Sequence, residues 1–392
     1  MAQRIVYWFR NDLRLQDNEG LLSAANSGKE VLPVYVFDPR LYSQTKLGFR
    51  RTGVLRAHLL IQAVTELRNQ LREKGCDLLI RVGDPEKIVA QLAEEHQANY
   101  VYTSKEIAPE ETRIESSLSK NLKLSNIDIK LFWMNTLSPI LDLPFTIAKL
   151  PHGSKSFIDL VKPSLVIRNV FETPANILMP SEFEAGVIPS LPQLGIDPMD
   201  IPQSSEASKG GNTGLSTLNN FIKNKPEQYV KSQDLFMDAQ LSHALALGTL
   251  SPVMILDAIS KSSVSQPVKD LVLHSLLERD YFHWTLLRYG PRLFKPSGVL
   301  HLFDQQWKND ASEFKNWIEG NTASQEVNEI MKKVQHAECI SYANRTKAAS
   351  YLINDLKINW TWGAMYFESL LIDYNVAVNW GQWNNLAGVG LN

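Results

Sequence analysis

The chain has 392 residues, 44% of them hydrophobic and 21% charged, which permits a sizeable core, excludes wholesale disorder and favours two domains over one. Its formal charge of −2 is too balanced for a dedicated polyanion binder, and its two cysteines, Cys76 and Cys339, cannot build a disulfide scaffold or a four-cysteine zinc site. Arg4, Arg10 and Asp12 stand where a signal peptide needs an unbroken apolar stretch, and no run of about 18 apolar residues occurs, so a cytoplasmic protein without a membrane partner is expected.

Five short runs, at 4–9, 30–37, 76–82, 98–104 and 127–133, are rich in Val, Ile, Tyr and Phe. Most are nearly continuous in apolar character, as strands covered on both faces should be. Helix-length segments lie between them. Residues 56–74 set Leu59, Leu60, Ala63, Leu67 and Leu71 at helical spacing and stop at Gly75. Pro85 and Pro109 each open a further helix at an early position, where a missing N–H is harmless, and Glu110 and Glu111 sit at the positive end of the second. Strand–helix–strand repetition of this kind predicts a five-stranded parallel sheet with helices on both faces over residues 1–137.

From residue 138 prolines accumulate, from Pro139 to Pro202, with few periodic segments. Phe145, Phe157, Ile158, Phe171 and Phe183 within this stretch need somewhere to pack, so 138–205 reads as a linker wrapped over the first domain. Residues 206–392 read as an all-helical domain, with amphipathic stretches at 213–222, 241–247, 252–259, 268–289, 326–334, 345–356 and 362–373.

A parallel sheet invites a nucleotide at the carboxyl ends of its strands, yet no G-x-G-x-x-G follows a strand and no G-x-x-x-x-G-K-[ST] occurs. The eight histidines show no metal spacing, so no metal is expected, and no Ser, Cys or His sits in a nucleophile frame. The end of the chain is different. Trp360, Trp362, Trp380 and Trp383 fall within 24 residues, with Trp307 and Trp317 upstream. Indoles are ordinarily core filler, but these flank Asp373-Tyr-Asn375 and Asn379-Trp-Gly-Gln-Trp383. A carboxylate and two amides bracketed by indoles suit a buried aromatic ligand with a hydrogen-bonding edge.

RIVYWFRNDLRLQDNEGL at the start, RVGDPEKIV, LDLPFTI, ALALGTLSP, ERDYFHWTLLRYGPRLF, ANRTKAASYLINDL and WTWGAMYFESLLIDYNVAVNWGQWNNLAGVG together resemble the cryptochrome/photolyase family, and within it most the DASH-type cryptochromes. The match is collinear over nearly the whole chain. The resemblance implies a photolyase-type α/β domain, a linker and a helical FAD-binding domain. It also implies blue-light-driven electron transfer, inherited from lyases that split cyclobutane pyrimidine dimers in DNA, and an antenna chromophore such as methenyltetrahydrofolate on the first domain. Residue by residue, it carries a three-tryptophan electron path onto Trp383, Trp360 and Trp307, with Asn379 facing the reactive flavin nitrogen. Asp373 and Asn375 fall on the segment touching ring and ribose, and Arg279 and Asn344 match as well.

Other positions depart from the family pattern. The diphosphate turn, Thr/Ser-Ser-Lys/Arg-Leu/Phe-Ser in relatives, reads Asp238-Ala239-Gln240-Leu241-Ser242. It has lost two hydroxyls and a cation and gained a carboxylate; like charges about 4 Å apart repel by about 1 kcal/mol in water and about 4 kcal/mol at an effective dielectric of about 20. Lys347 stands where an arginine pairs with the flavin-side aspartate, keeping the charge without the fork. Ser275 and Glu278 align with the glutamate and tryptophan that hold the dimer, Ala323-Ser324-Gln325 replaces Gly-Tyr-Pro, and relatives continue past Asn392. From Glu206 onward 17 Lys and Arg stand against 18 Asp and Glu, which is no basic surface for a duplex. The expectation is a light-responsive flavoprotein that binds FAD weakly, keeps its photoreduction path and repairs dimers poorly. Its rival is a non-catalytic interaction scaffold with a protein partner and weak or no FAD. A weaker third reading is a module for a different nucleotide in the sheet crevice.

Overall fold

The computed structural model describes residues 3–200, 214–224, 226–230, 235, 241–336 and 340–391; Asp238, Ala239 and Gln240 lie outside the described residues. The apolar runs of the first third form β1 (Arg4–Phe9), β2 (Glu30–Phe37), β3 (Leu79–Val82), β4 (Tyr100–Ser104) and β5 (Asp128–Phe132), all parallel, in the order β3-β2-β1-β4-β5. Ile5 pairs with Val31 on one side and Tyr100 on the other. Alternation sends Ile5, Tyr7 and Phe9 into one core layer and Val6 and Trp8 into the opposite one, so both faces are covered. The helices between strands are α1 (Glu19–Ala25), α2 (Val54–Glu73), α3 (Pro85–Glu95) and α4 (Pro109–Leu124). Pro85 and Pro109 take first-turn positions as expected.

β3 starts three residues later than the apolar run. Pairing with β2 begins at Val34–Leu79, while Asp77 is drawn aside by Arg68 at 2.7 Å and Arg72 at 3.1 Å. The linker that follows the sheet lies along its flank. Its later part receives bonds from the backbone N–H of Val31 and Ile80 at Leu178 and Ala185 and buries Ile177, Leu191 and Leu194 in the sheet's core, whereas the short helix α5 (Ser154–Val161) packs Phe157, Ile158 and Val161, with Phe145 against them, into the core of the helical part and not over the first domain.

The helical part comprises α6 (Gly214–Lys223), α7 (Ser242–Leu247), α8 (Pro252–Lys261), the long α9 (Gln266–Tyr289), α10 (Ala311–Glu319), α11 (Gln325–Gln335), α12 (Tyr342–Ser350), α13 (Trp360–Leu370) and α14 (Val376–Leu386). α12 widens into a π turn over Tyr351–Asp355. Ser324 and Gln325, where relatives carry Gly-Tyr-Pro, cap and open α11, with the Ser324 hydroxyl accepting from the Val327 N–H at 3.4 Å. No helix among the described residues is long and apolar enough to cross a membrane.

Two buried junctions join the parts. Arg14 donates to the carbonyl of Gly248 at 2.9 Å, and Asp17, fully buried, accepts from Ser251 Oγ, Arg168 and the Phe171 N–H. Gly248 has φ +71°, and a Cβ there would lie 1.9 Å from the Asn11 carbonyl, so only glycine fits. At the second junction Asp280, fully buried on α9, accepts from the N–H of Leu137 at 3.1 Å and from the N–H and hydroxyl of Ser138 at 2.7 Å each. Asp280→Ala strands two N–H groups and a hydroxyl and removes the carboxylate whose charge most favours the neighbouring Arg279, leaving it Glu106. The expected loss is about 3 kcal/mol, read from the midpoint of urea unfolding.

Candidate functional site

Helical spacing builds the cleft. Ser275, Glu278, Arg279 and Phe282 recur along one face of α9, and Tyr342, Arg345, Thr346 and Ala349 along one face of α12. From Asn375, which caps α14, the row continues through Val378, Asn379, Gln382 and Trp383. These faces, with Ser242 and Leu245 of α7 and Asp373 before α14, line a cleft of about 960 Å³, the solvent at its mouth included.

The electrostatics are those of paired charges and oriented amides. Asp373 is held by Arg345 through bonds of 3.1 and 3.2 Å. Burial pushes its carboxyl up, but the Arg345 charge and the Ser242 hydrogen bond outweigh burial and hold it below the usual carboxylate range. Arg279 gives a guanidinium N–H to the Asn135 carbonyl, and burial lowers its pKa to about 10, so it stays charged at neutral pH. His283 lies behind the wall with its pKa pushed down by burial to about 3, and is therefore neutral. Its Nδ1, 2.8 Å from the Arg279 carbonyl, carries the proton; its Nε2 accepts from the Asn375 amide at 3.4 Å. Asn375 Oδ1 meanwhile takes the Val378 N–H at 3.1 Å, so this side chain is fixed at both ends. Asn379 donates to the Ala364 carbonyl at 3.1 Å, leaving its amide oxygen as the group it offers to a ligand.

Of the residues singled out in the sequence, Ser242, Arg279, Asp373, Asn375, Asn379 and Trp383 are brought together on the cleft wall. Leu241 is buried behind Ser242. Lys347 and Asn344 are not on the wall. Lys347 points to the surface and pairs with Glu326, and the aspartate's partner is Arg345. The reason is helical phase: 342, 345, 346 and 349 share one face of α12, whereas 344 and 347 turn away from it. The same spacing is the signal through which Arg345 and Thr346 are legible.

Trp383 stands on the wall, its ring pressed on Gly363, where a Cβ would come within 2.3 Å of it. Trp360 is fully buried one turn before Gly363, and its indole N–H donates to the Pro296 carbonyl at 3.0 Å. Half-buried Trp307 donates to the same carbonyl at 3.2 Å. Neither Trp284, packed at 5.9 Å from Trp133, nor Trp380 reaches the wall. Glu278 does, with one carboxylate oxygen accepting from Ser154 Oγ of α5 at 3.3 Å.

Residues 5–165 match the family model for DNA photolyase, and residues 272–392 match that for the FAD binding domain of DNA photolyase. The chain is 35% identical to the cryptochrome DASH of Gloeobacter violaceus over 99% of its own length and 80% of that protein. It is also 35% identical to the cryptochrome DASH of Synechocystis sp. over 98% of its length and 81% of that one. The crystal structure of the Synechocystis cryptochrome superposes with a TM-score of 0.90 at 32% identity, covering 100% of this chain and 83% of that one. An archaeal photolyase from Sulfolobus tokodaii, at 23% identity and a TM-score of 0.79, shares the fold. The chain belongs to the photolyase/cryptochrome family. Within that family the relatives above are cryptochromes DASH, and FAD is the cofactor of the helical domain.

The residues present fit that cofactor. Thr346 Oγ1 is buried with no hydrogen-bond partner among the described residues, on a wall that also offers Arg279, Arg345, Asn375 and Asn379, a donor-rich set suited to a ring with carbonyl and nitrogen edges and to sugar hydroxyls. Arg345→Leu leaves Asp373 buried and unpaired, which costs about 3–5 kcal/mol at neutral pH. Asp373, with its carboxyl depressed in the folded state, contributes stability above its unfolded pKa and loses it as pH falls. In the variant the unpaired carboxyl takes up its proton at a higher pH than in the parent, so the difference between them begins to shrink above the unfolded value of about 4 and goes on shrinking below it; urea unfolding across that range measures it.

Proposed function

We propose that this protein is a blue-light-responsive flavoprotein in which Trp383, Trp360 and Trp307 relay electrons from the surface to the flavin cleft. FAD, when bound, supplies a blue-light-absorbing ring that accepts an electron from a neighbouring indole. The chain's own residues do the rest. Arg345 and Asp373 fix one another and present a charged edge to the cleft, while His283 and Val378 orient Asn375. Trp383 closes the wall against water. The observation that carries the reading is the continuity of the indoles: Trp383 on the wall, Trp360 one turn along the helix it packs on, and Trp307 sharing the Pro296 carbonyl with Trp360. Trp383→Phe in the flavin-loaded protein, illuminated with blue light and an external reductant, is expected to slow flavin reduction most among the three positions. An unchanged rate would reduce the indoles to core packing.

We infer further that pyrimidine-dimer repair is weak or lost, although the family acts on DNA. Capture of a flipped lesion needs an aromatic wall and hydrogen bonds to its polar edge, and the wall here carries Ser275 and Glu278. Loss of a stacking surface worth about 1–3 kcal/mol per base weakens capture by roughly ten- to a hundredfold, and the Glu278 carboxylate adds repulsion toward phosphates. A dimer-containing oligonucleotide, single- and double-stranded, under blue light with excess protein and reductant is expected to show little splitting. Turnover like that of an authentic photolyase would overturn this reading. The interaction-scaffold alternative is favoured by Asp238 and Gln240 in the diphosphate turn, and it prevails if titration shows no FAD uptake.

A further inference from the structure

We propose that Trp380 is a second oxidisable ring branching from Trp360, and that Glu368 takes its indole proton on oxidation, weakening the ion pair that ties α13 to the segment before α2. The proposal rests on the electron-path reading above for the arrival of the oxidising equivalent.

Trp380 is buried and stands edge-on to Trp360, with ring centroids 5.9 Å apart and planes at 72°. Besides Trp383, Trp360 thus has two indole neighbours, Trp307 through the shared Pro296 carbonyl and Trp380 through ring contact. The N–H partners of the three rings differ. Trp360 and Trp307 both end on one neutral carbonyl. The Trp380 N–H is shared between the Glu368 carboxylate and the Tyr374 hydroxyl, at 3.3 Å each. An indole that loses an electron becomes a strong N–H acid. A carbonyl can only solvate that charge, whereas a carboxylate both stabilises it and accepts the proton.

The step balances. One electron leaves Trp380 through Trp360 and Trp383 toward the photoexcited flavin, which is the one-electron oxidant. The Trp380 N–H bond breaks and an O–H bond forms on Glu368 Oε2, leaving a neutral indolyl radical; an external reductant and the same proton restore the ring.

The charged and polar groups facing Glu368 make the proton transfer consequential. Its Oε1 accepts from Arg51 Nε at 2.9 Å, and Arg51 also pairs with Glu110 at 2.6 Å. Arg56 donates to the Glu368 backbone carbonyl and stacks over the Tyr374 ring at 4.8 Å. The Gly53 N–H binds the Ser369 carbonyl beside them at 2.6 Å. With Glu368 neutral, Arg51 keeps Glu110 as its one ion-pair partner among the described residues, and the contact between the sheet domain and α13 loosens. A local charge change is thereby converted into a change at a domain contact.

The test begins with flavin-free protein, in which an ultraviolet flash ionises tryptophan directly. Infrared difference spectra of the unsubstituted protein are expected to show a protonated-carboxyl band together with a neutral indolyl radical. The carboxyl band is lost in Trp380→Phe and in Glu368→Gln, while the other tryptophans still yield indolyl radical. No such band in the unsubstituted protein, or a band that persists in Trp380→Phe, overturns the proposal whether or not Glu368→Gln folds. In flavin-loaded protein the same band is expected under blue light and is lost in Trp383→Phe. Its absence while photoreduction proceeds overturns the branch. Photoreduction untouched by Trp383→Phe overturns the electron path instead, and the flavin-free spectra then decide the proton transfer alone.

Discussion

A carboxylate taken wholly out of water must find its partners inside the protein, and Asp17 finds them in two other parts of the chain. Its oxygens collect Arg168 and the Phe171 N–H from the linker and Ser251 from the cap of α8, while Arg14, three residues earlier, reaches the Gly248 carbonyl. No one of these segments satisfies the buried charge by itself. Removing any partner exposes a cost of several kcal/mol. The sheet, the linker and the helical domain are therefore held in one arrangement, and Gly248 allows the approach because any side chain there would strike the Asn11 backbone.

The cleft inherits that arrangement. Its floor belongs to the helical domain, but Arg279 on α9 hydrogen-bonds Asn135 at the end of the sheet domain, and Asp280, next to it, clamps Leu137 and Ser138. The residues that present charge to a ligand are thus tied through one turn of helix to the point where the linker begins. Every ionised group on the wall that the structure pairs, Arg345 with Asp373 above all, is compensated within the protein. His283 avoids the problem by being neutral, which is also what lets its Nε2 accept from Asn375. Polar groups fixed in this way before a ligand arrives lose little entropy when it does.

Much of the sheet was legible because a parallel strand covered on both faces has little choice but to be apolar throughout, as residues 5–9 and 31–37 are. Where other forces compete, the apolar pattern and the strand pairing part. Residues 76–78 carry the apolar pattern but not the pairing, since Asp77 is engaged by Arg68 and Arg72. α1, α10 and α14 were not singled out as helices. α1 is only two turns long, and α14 mixes amides with indoles because it faces a ligand cleft on one side and core on the other. At the site, a carboxylate and amides between tryptophans pointed to the correct segment, and Asp373, Asn375, Asn379 and Trp383 share the wall. Lys347 was expected to hold Asp373, and Arg345 holds it; two residues along a helix is a rotation of about 200°, enough to exchange the cleft for solvent.

By itself, then, the sequence determined the strand–helix alternation, the change to helices after the linker, and the chemical character of the last 33 residues, because each depends on local composition and period. Tertiary structure alone decided which charges meet. The pairing of Arg51 with Glu368, of Asp17 with Arg168 and of Arg345 with Asp373 joins residues far apart in the chain. So does the convergence of Trp307 and Trp360 on one carbonyl while Trp380 turns to a carboxylate. Hydrophobic period says that a residue is buried but not beside what. In a low-dielectric interior it is the neighbour that fixes the proton, the charge and the path of an electron.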